Sequence, residues 1–202
     1  MTETSTEVTE QTYAERARLA GLLAGLTPEQ WAHPTLCADW RVRDVVAHMT
    51  APFHTSGLRM LAGLARARFN YDRYAAPAAR RDADRMGDAE LLRILQENLR
   101  TPWPASGGGP EAGLSHDVIH GLDLTVPLGL PAAPTERIAL VLVRTTPRSL
   151  AYFDVDLGGR RLVATDADVA IGSGADLPLP AREILLVITG RRSLSDVMAQ
   201  ER

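Results

Sequence analysis

Three histidines carry the chemistry this chain can most readily perform. His116 and His120 stand four positions apart in Leu114-Ser115-His116-Asp117-Val118-Ile119-His120-Gly121-Leu122-Asp123, and His48 lies earlier, in Arg41-Val42-Arg43-Asp44-Val45-Val46-Ala47-His48-Met49. On a helix, side chains four apart share a face, about 5–6 Å between Cβ atoms. Two imidazoles so placed can grip one divalent cation, and a third can come from a facing helix. Neutral imidazole suits Zn²⁺, Ni²⁺, Cu²⁺ or Fe²⁺. Three protein ligands leave a position open for water or substrate, as in catalytic zinc sites. Spacing alone fits ordinary helix histidines, hydrogen-bonded or solvated, about as well.

The neighbouring polar residues each have two readings. Asp44 and Asp123 can orient imidazoles from behind, although Asp44 more simply stabilises a helix start by its charge. His33 precedes a proline in a loop, and His54 projects away from His48; both are expected in solvent. Cys37 can act as nucleophile or metal ligand, but a lone cysteine is more commonly a small buried apolar residue. Trp31, Trp40 and Trp103 can wall a pocket or simply pack in the core. Gly107-Gly108-Gly109 lacks the Lys and Ser/Thr of a phosphate loop and reads as a flexible connection.

The elements that must position these residues follow from hydrophobic periodicity. Residues 1 to about 9 are expected to fray. A helix is predicted from about Glu10 to Leu26, with Leu19, Leu22, Leu23 and Leu26 inward. Thr27-Pro28-Glu29-Gln30 is a helix-start signal. A second long helix begins near Arg41, with Pro52 kinking or interrupting it, and resumes to about Arg66. Residues 67–87 read as a charged connection of weak helical character. A third long helix covers Asp88 to Leu99, and a fourth, about Glu111 to Val126, carries the paired histidines. Pro127 to Pro134 is a turn-rich boundary. Beyond it the pattern predicts a helix over 135–150, a strand over Arg161–Thr165, a partner strand near Asp168–Gly172, and a last helix from about Pro180 to Thr189, ended by Gly190. The chain is thus expected to form an all-helical bundle over 1–130 and a small α/β domain over 135–202.

Composition narrows the function classes. Net charge is −3, so no basic excess points to nucleic acid. The chain has no Lys; all 22 Lys+Arg positions are Arg. Together with abundant Ala, this suggests a GC-rich bacterial source. One cysteine excludes an intramolecular disulfide and agrees with a reducing cytoplasm. The polar, acidic start reads as neither a signal nor a transit peptide. No apolar run approaches the roughly 18 residues of a membrane span. A cytoplasmic protein without membrane or nucleic-acid partners is expected, its oligomeric state left open.

Trp31-Ala32-His33-Pro34-Thr35-Leu36-Cys37-Ala38-Asp39-Trp40-Arg41-Val42-Arg43-Asp44-Val45-Val46-Ala47-His48 resembles the N-terminal signature of the mycothiol-dependent maleylpyruvate isomerase family, within the DinB-like metalloenzyme superfamily. Val118-Ile119-His120-Gly121-Leu122-Asp123-Leu124, followed by Pro127-Leu128-Gly129, is similar to its second signature. Leu162 to Asp168, Gly172-Ser173-Gly174 and Leu185 to Arg192 resemble its C-terminal domain. The resemblance implies a mainly α protein: a DinB-like four-helix bundle with a small C-terminal α/β domain and one divalent metal ion, zinc first, with nickel or iron as alternatives. His48 matches the first family ligand and His120 the last. The middle position, usually Glu, is His116 here, and Asp117 is a less suitable alternative. Three neutral ligands would leave the metal's full charge, favouring an anionic thiolate or hydroxide. Arg41 stands where the family often has a Ser or Thr helix cap, so Asp39 is expected to take over or the cap to be lost.

The implied activity is metal-dependent thiol chemistry with mycothiol, the low-molecular-weight thiol of GC-rich actinobacteria, as cosubstrate. A thiolate would attack a small electrophilic substrate, giving an isomerase if it leaves again or an S-transferase if it stays. Arg160, Arg161 and Arg182 are candidate anion contacts. Two alternatives stand beside this: a metal-dependent hydrolase of the same superfamily, and a non-catalytic binding module on the same scaffold.

Overall fold

A computed structural model of the chain describes residues 3–104 and 108–200. Gly107, in the predicted flexible connection, lies outside the described residues. The chain divides into two compact units, with the boundary between Pro131 and Ala132.

The first unit is helical: α1 (Glu3–Leu23), α2 (Pro28–Trp31), α3 (Val42–His54), α4 (Gly57–Arg66), α5 (Tyr71–Met86), α6 (Asp88–Glu97) and α7 (Gly109–Thr125). Four of these close into a ring, because α1 packs on α6 and α7, and α3 packs on the same two. Leu19, Leu23, Val45, Val46, Met49, Leu91 and Leu95 fill the interior, each no more than 3% exposed. Apolar positions three and four apart bring each helix's stripe to this one core.

Several boundaries differ from the sequence expectation. α1 starts at Glu3 instead of fraying to residue 9, because Val8 and Thr12 extend its buried stripe. The predicted 41–66 helix breaks after His54. Ser56 then caps α4, its hydroxyl accepting from the Arg59 amide, so Pro52 is tolerated within α3 and the interruption falls three residues later. The largest correction is 71–86, a 16-residue helix where a charged connection was expected. Asn70 caps it at 2.9 Å from the Arg73 amide, and Ala75, Ala79 and Ala83, four apart, form its buried stripe. Small side chains let α5 lie close on α3.

At the start of α3 the side-chain cap is lost, as one of the two expectations had it: Arg41 accepts no helix N–H, and Asp39 does not replace it. Asp44 accepts the Arg41 backbone N–H at 2.8 Å and the Arg41 guanidinium at 2.9 Å. Asp44 thus anchors a helix start and does not orient an imidazole. Asp39 sits at φ +63° in the preceding turn, and its carbonyl accepts from Arg80.

The second unit holds α8 (Thr135–Leu142), α9 (Pro147–Tyr152), strands β1 (Arg160–Ala164), β2 (Ala170–Gly172) and β3 (Ala175–Leu179), then α10 (Ala181–Ile188) and α11 (Leu194–Gln200). The predicted 135–150 helix is two helices, because Thr146 caps a new start with Pro147 in its first turn. The sheet order is β2-β1-β3, with β2 antiparallel and β3 parallel to β1. β3 lies outside the expected strands; it is an edge strand, where its Pro178 is tolerated. Gly174, at φ +107°, turns the chain into β3 so tightly that any Cβ would overlap the Gly159 carbonyl. α8 and β1 both pack on α10, where Ile184, Leu185 and Leu186 are buried. The chain is therefore mainly α, a four-helix bundle followed by a small α/β unit, consistent with the DinB-like fold that the resemblance implies. No described helix is long and apolar enough to cross a membrane.

Candidate metal centre

The three predicted histidines meet. His48 comes from α3, and His116 and His120 come from successive turns of α7, the helix packed beside it. Their ring centroids form a triangle with sides of 5.1, 4.9 and 4.7 Å. One ligand atom from each lies within 4.8 Å of the other two. The His116 and His120 side chains are 16% and 14% exposed, so the rings keep an edge toward solvent.

Two buried carboxylates hold the α7 rings from behind. Asp117 Oδ1 lies 2.9 Å from His116 Nδ1, and Asp123 Oδ2 lies 2.9 Å from His120 Nδ1. A carboxylate only accepts, so each Nδ1 carries the proton. Nε2 is then left with its lone pair, the tautomer a metal-ligating histidine adopts. Asp117 was expected as a less suitable ligand. Its oxygens are instead engaged, Oδ1 with His116 and Oδ2 with Arg16 Nε at 2.8 Å.

Arg16 was not anticipated. It is 1% exposed, its Nη1 donates to the Thr101 carbonyl at 2.6 Å, and its guanidinium lies 5.1 Å from the Phe53 ring centre. A signal existed: Val8, Thr12, Arg16, Leu19 and Leu23 fall on one helical stripe, so a charged residue stands at a core position. α1 can approach α7 here because Gly121 has no side chain. A Cβ there would sit 2.9 Å from Glu15 Oε1 and 3.3 Å from Leu19 Cδ2.

Aromatic rings flank the imidazoles. Trp40 stands edge-on to His48 at 5.2 Å, Tyr71 lies 6.4 Å from His48, and Trp103 lies 4.6 Å from His116. Trp31 is separate, buried in the bundle core. These surroundings set the proton affinities. Loss of water around His48, then the adjacent His120 and His116, pushes its imidazole well below the ordinary value. Desolvation likewise lowers His116, although its bond to Asp117 works the other way. Neutral imidazoles are what a metal site requires.

The remaining candidates disperse. His33 is exposed, as expected, with Nδ1 2.7 Å from the Pro34 carbonyl. His54 was expected in solvent, but its Nε2 is buried and desolvation lowers its pKa. Cys37 is only part-buried, with Sγ 3.0 Å from Asp123 Oδ2. Cys37, His120 and Asp123 form a second group whose ligand atoms lie within 4.8 Å of one another, but here the three bond to each other. Arg161 pairs with Asp176, and Arg182 with Glu183, both on the surface of the second unit, which also carries Arg160 at the start of β1.

Residues 13–104 match the family model of the mycothiol maleylpyruvate isomerase N-terminal domain. The matched stretch includes His48, Arg16, Cys37, Trp40 and Trp103; His116 and His120 lie beyond it. No curated protein and no solved structure matches the chain.

Proposed function

We propose that this chain is a metal-dependent enzyme that uses mycothiol on a small electrophilic substrate, as an isomerase or a thiol S-transferase. The observation that carries the reading is the triangle of His48, His116 and His120, with ligand atoms within 4.8 Å of one another. The donor set suits a divalent ion of the zinc, nickel or iron class: three imidazoles, two held by carboxylates with Nε2 left as lone-pair donor. A cation bound there would supply Lewis acidity, lowering the pKa of a thiol that reaches it.

The chain's own residues do the rest. Asp117 and Asp123 fix the ring planes of His116 and His120. Desolvation keeps His48 and His116 neutral. Arg16 balances the charge of Asp117, so the buried carboxylate holds His116 without adding a net charge behind it. Trp40, Tyr71 and Trp103 surround the imidazoles with ring faces and edges, limiting water at the rings. A drier site strengthens attraction for an anionic sulfur. The substitution of His116 for the usual carboxylate favours the same anion.

Metal content of protein purified without chelators or a histidine tag tests the reading. About one equivalent in the wild type and loss in His116→Ala are expected. Mycothiol added to cobalt-loaded protein should then change the visible spectrum. Absence of metal from the wild type would refute the proposal in favour of a binding module. Metal without a mycothiol response would point to hydrolysis.

A further inference from the structure

We propose that Cys37 is a positioning residue for His120, acting through Asp123. This rests on the three-histidine reading above. Cys37 Sγ lies 3.0 Å from Asp123 Oδ2, and His120 Nδ1 lies 2.9 Å from that same oxygen. The Sγ to Nδ1 distance of 4.0 Å closes the triangle. Because a carboxylate only accepts, the thiol S–H and the imidazole N–H converge as two donors on one oxygen. Asp123 is 0% exposed, and a buried carboxylate depends on such donors to hold its orientation. A rotation of that carboxylate turns the His120 ring with it.

The backbone around Cys37 is built to deliver the thiol. Its amide donates to Thr35 Oγ1 at 3.2 Å, and its carbonyl accepts from the Trp40 amide at 3.1 Å. The Leu36 amide donates to the Asp123 carbonyl at 3.3 Å, tying the loop to α7 one residue away. Asp39, at φ +63°, makes the turn that lets Trp40 reach His48. One loop therefore braces two of the three imidazoles from outside the helices that carry them. The third, His116, is braced from α1 by Arg16 through Asp117.

A packing role and a donor role predict opposite rankings of two substitutions. If Cys37 only fills space, Cys37→Ala is the milder change and Cys37→Ser, which adds polarity, the harsher. If its S–H is the functional group, Cys37→Ser preserves a donor and Cys37→Ala removes it. Zinc affinity of the full chain, measured by competition with a chromogenic chelator, reads this out. Loss of a partner behind a ligating histidine typically costs about 10–100-fold in affinity. Cys37→Ala should weaken zinc by about 10-fold, near the low end because a thiol is a weak donor, with Cys37→Ser within about 3-fold of wild type.

The second readout needs no metal. In metal-free protein the His120 Nδ1–H proton should appear as a slowly exchanging downfield NMR resonance in wild type and Cys37→Ser. In Cys37→Ala it should broaden or vanish. Equal zinc affinity and an unchanged resonance in both variants would overturn the proposal, as would Ser disrupting the site more than Ala. If wild type binds no zinc, the three-histidine reading fails while the resonance still decides the role of Cys37.

Discussion

Arg16→Met tests whether the buried ion pair behind His116 holds the bundle together. Methionine keeps much of the length and removes the cation. Asp117, 1% exposed, would then keep its charge with His116 Nδ1–H still beside it, while the Thr101 carbonyl would lose its 2.6 Å donor. Breaking one partner of a buried pair costs about 3–5 kcal/mol. Arg16 Nη2 is itself buried with no hydrogen-bond partner among the described residues, which puts the expected loss near the lower end, about 3 kcal/mol. Urea unfolding followed by tryptophan fluorescence suits the measurement, because Trp31, Trp40 and Trp103 all lie in the first unit. With a urea dependence of ~2 kcal/mol/M, the midpoint should fall by roughly 1.5 M. Asp117→Asn added to Arg16→Met removes the stranded charge yet leaves a carbonyl oxygen for His116. The double variant should recover at least half of the loss. A midpoint shift below about 0.5 M, or no recovery in the double variant, would refute the reasoning.

Further perturbations follow from the same geometry. Burial holds His48 and His116 below their ordinary proton affinity, so the unfolded chain takes up protons that the folded one resists. Stability of the metal-free protein should therefore be complete above about pH 6.5 and fall below it, by up to about 1.4 kcal/mol per group per pH unit; equal urea midpoints at pH 7.5 and 5.5 would contradict this. Gly121→Ala places a methyl 2.9 Å from Glu15 Oε1 and should destabilise by about 1–3 kcal/mol, read as a lower thermal midpoint. Ala83→Leu should push α5 off α3 and lower the same midpoint by a comparable amount, whereas a leucine at exposed Arg80, also on α5, should change it little.

The parts of this fold legible in sequence are those written in large apolar residues. Leu91, Leu92 and Leu95 mark α6, and Val42, Val45, Val46 and Met49 mark α3. α5 was illegible for the same reason. Its buried stripe is alanine, which scores weakly in any hydrophobic pattern, and Arg80-Arg81-Asp82-Ala83-Asp84-Arg85 looks like solvated chain. β3 hid behind Pro178, which only an edge position permits. At the site, His116 and His120 are legible because one helix carries both. Their meeting with His48, Arg16 and Cys37 depends on which helices become neighbours, and no local spacing records that.

The family match ends at residue 104, yet the site does not divide there. Arg16 and Cys37 lie inside the matched stretch, and their partners Asp117 and Asp123 lie outside it, on α7. The core divides no better. Leu114, Val118, Leu122 and Leu124 of α7 are each no more than 2% exposed. At about 1.5–3 kcal/mol for each fully buried aliphatic side chain, α7 contributes roughly 6–12 kcal/mol of burial. A whole domain retains only about 5–15 kcal/mol of net stability. A fragment covering residues 13–104 should therefore not fold cooperatively, while one covering 3–131 should. Circular dichroism melts separate the two cases. A cooperative transition in the shorter fragment would mean that the ring of four helices is not the stabilising unit, and that α7 brings its histidines to a scaffold already formed.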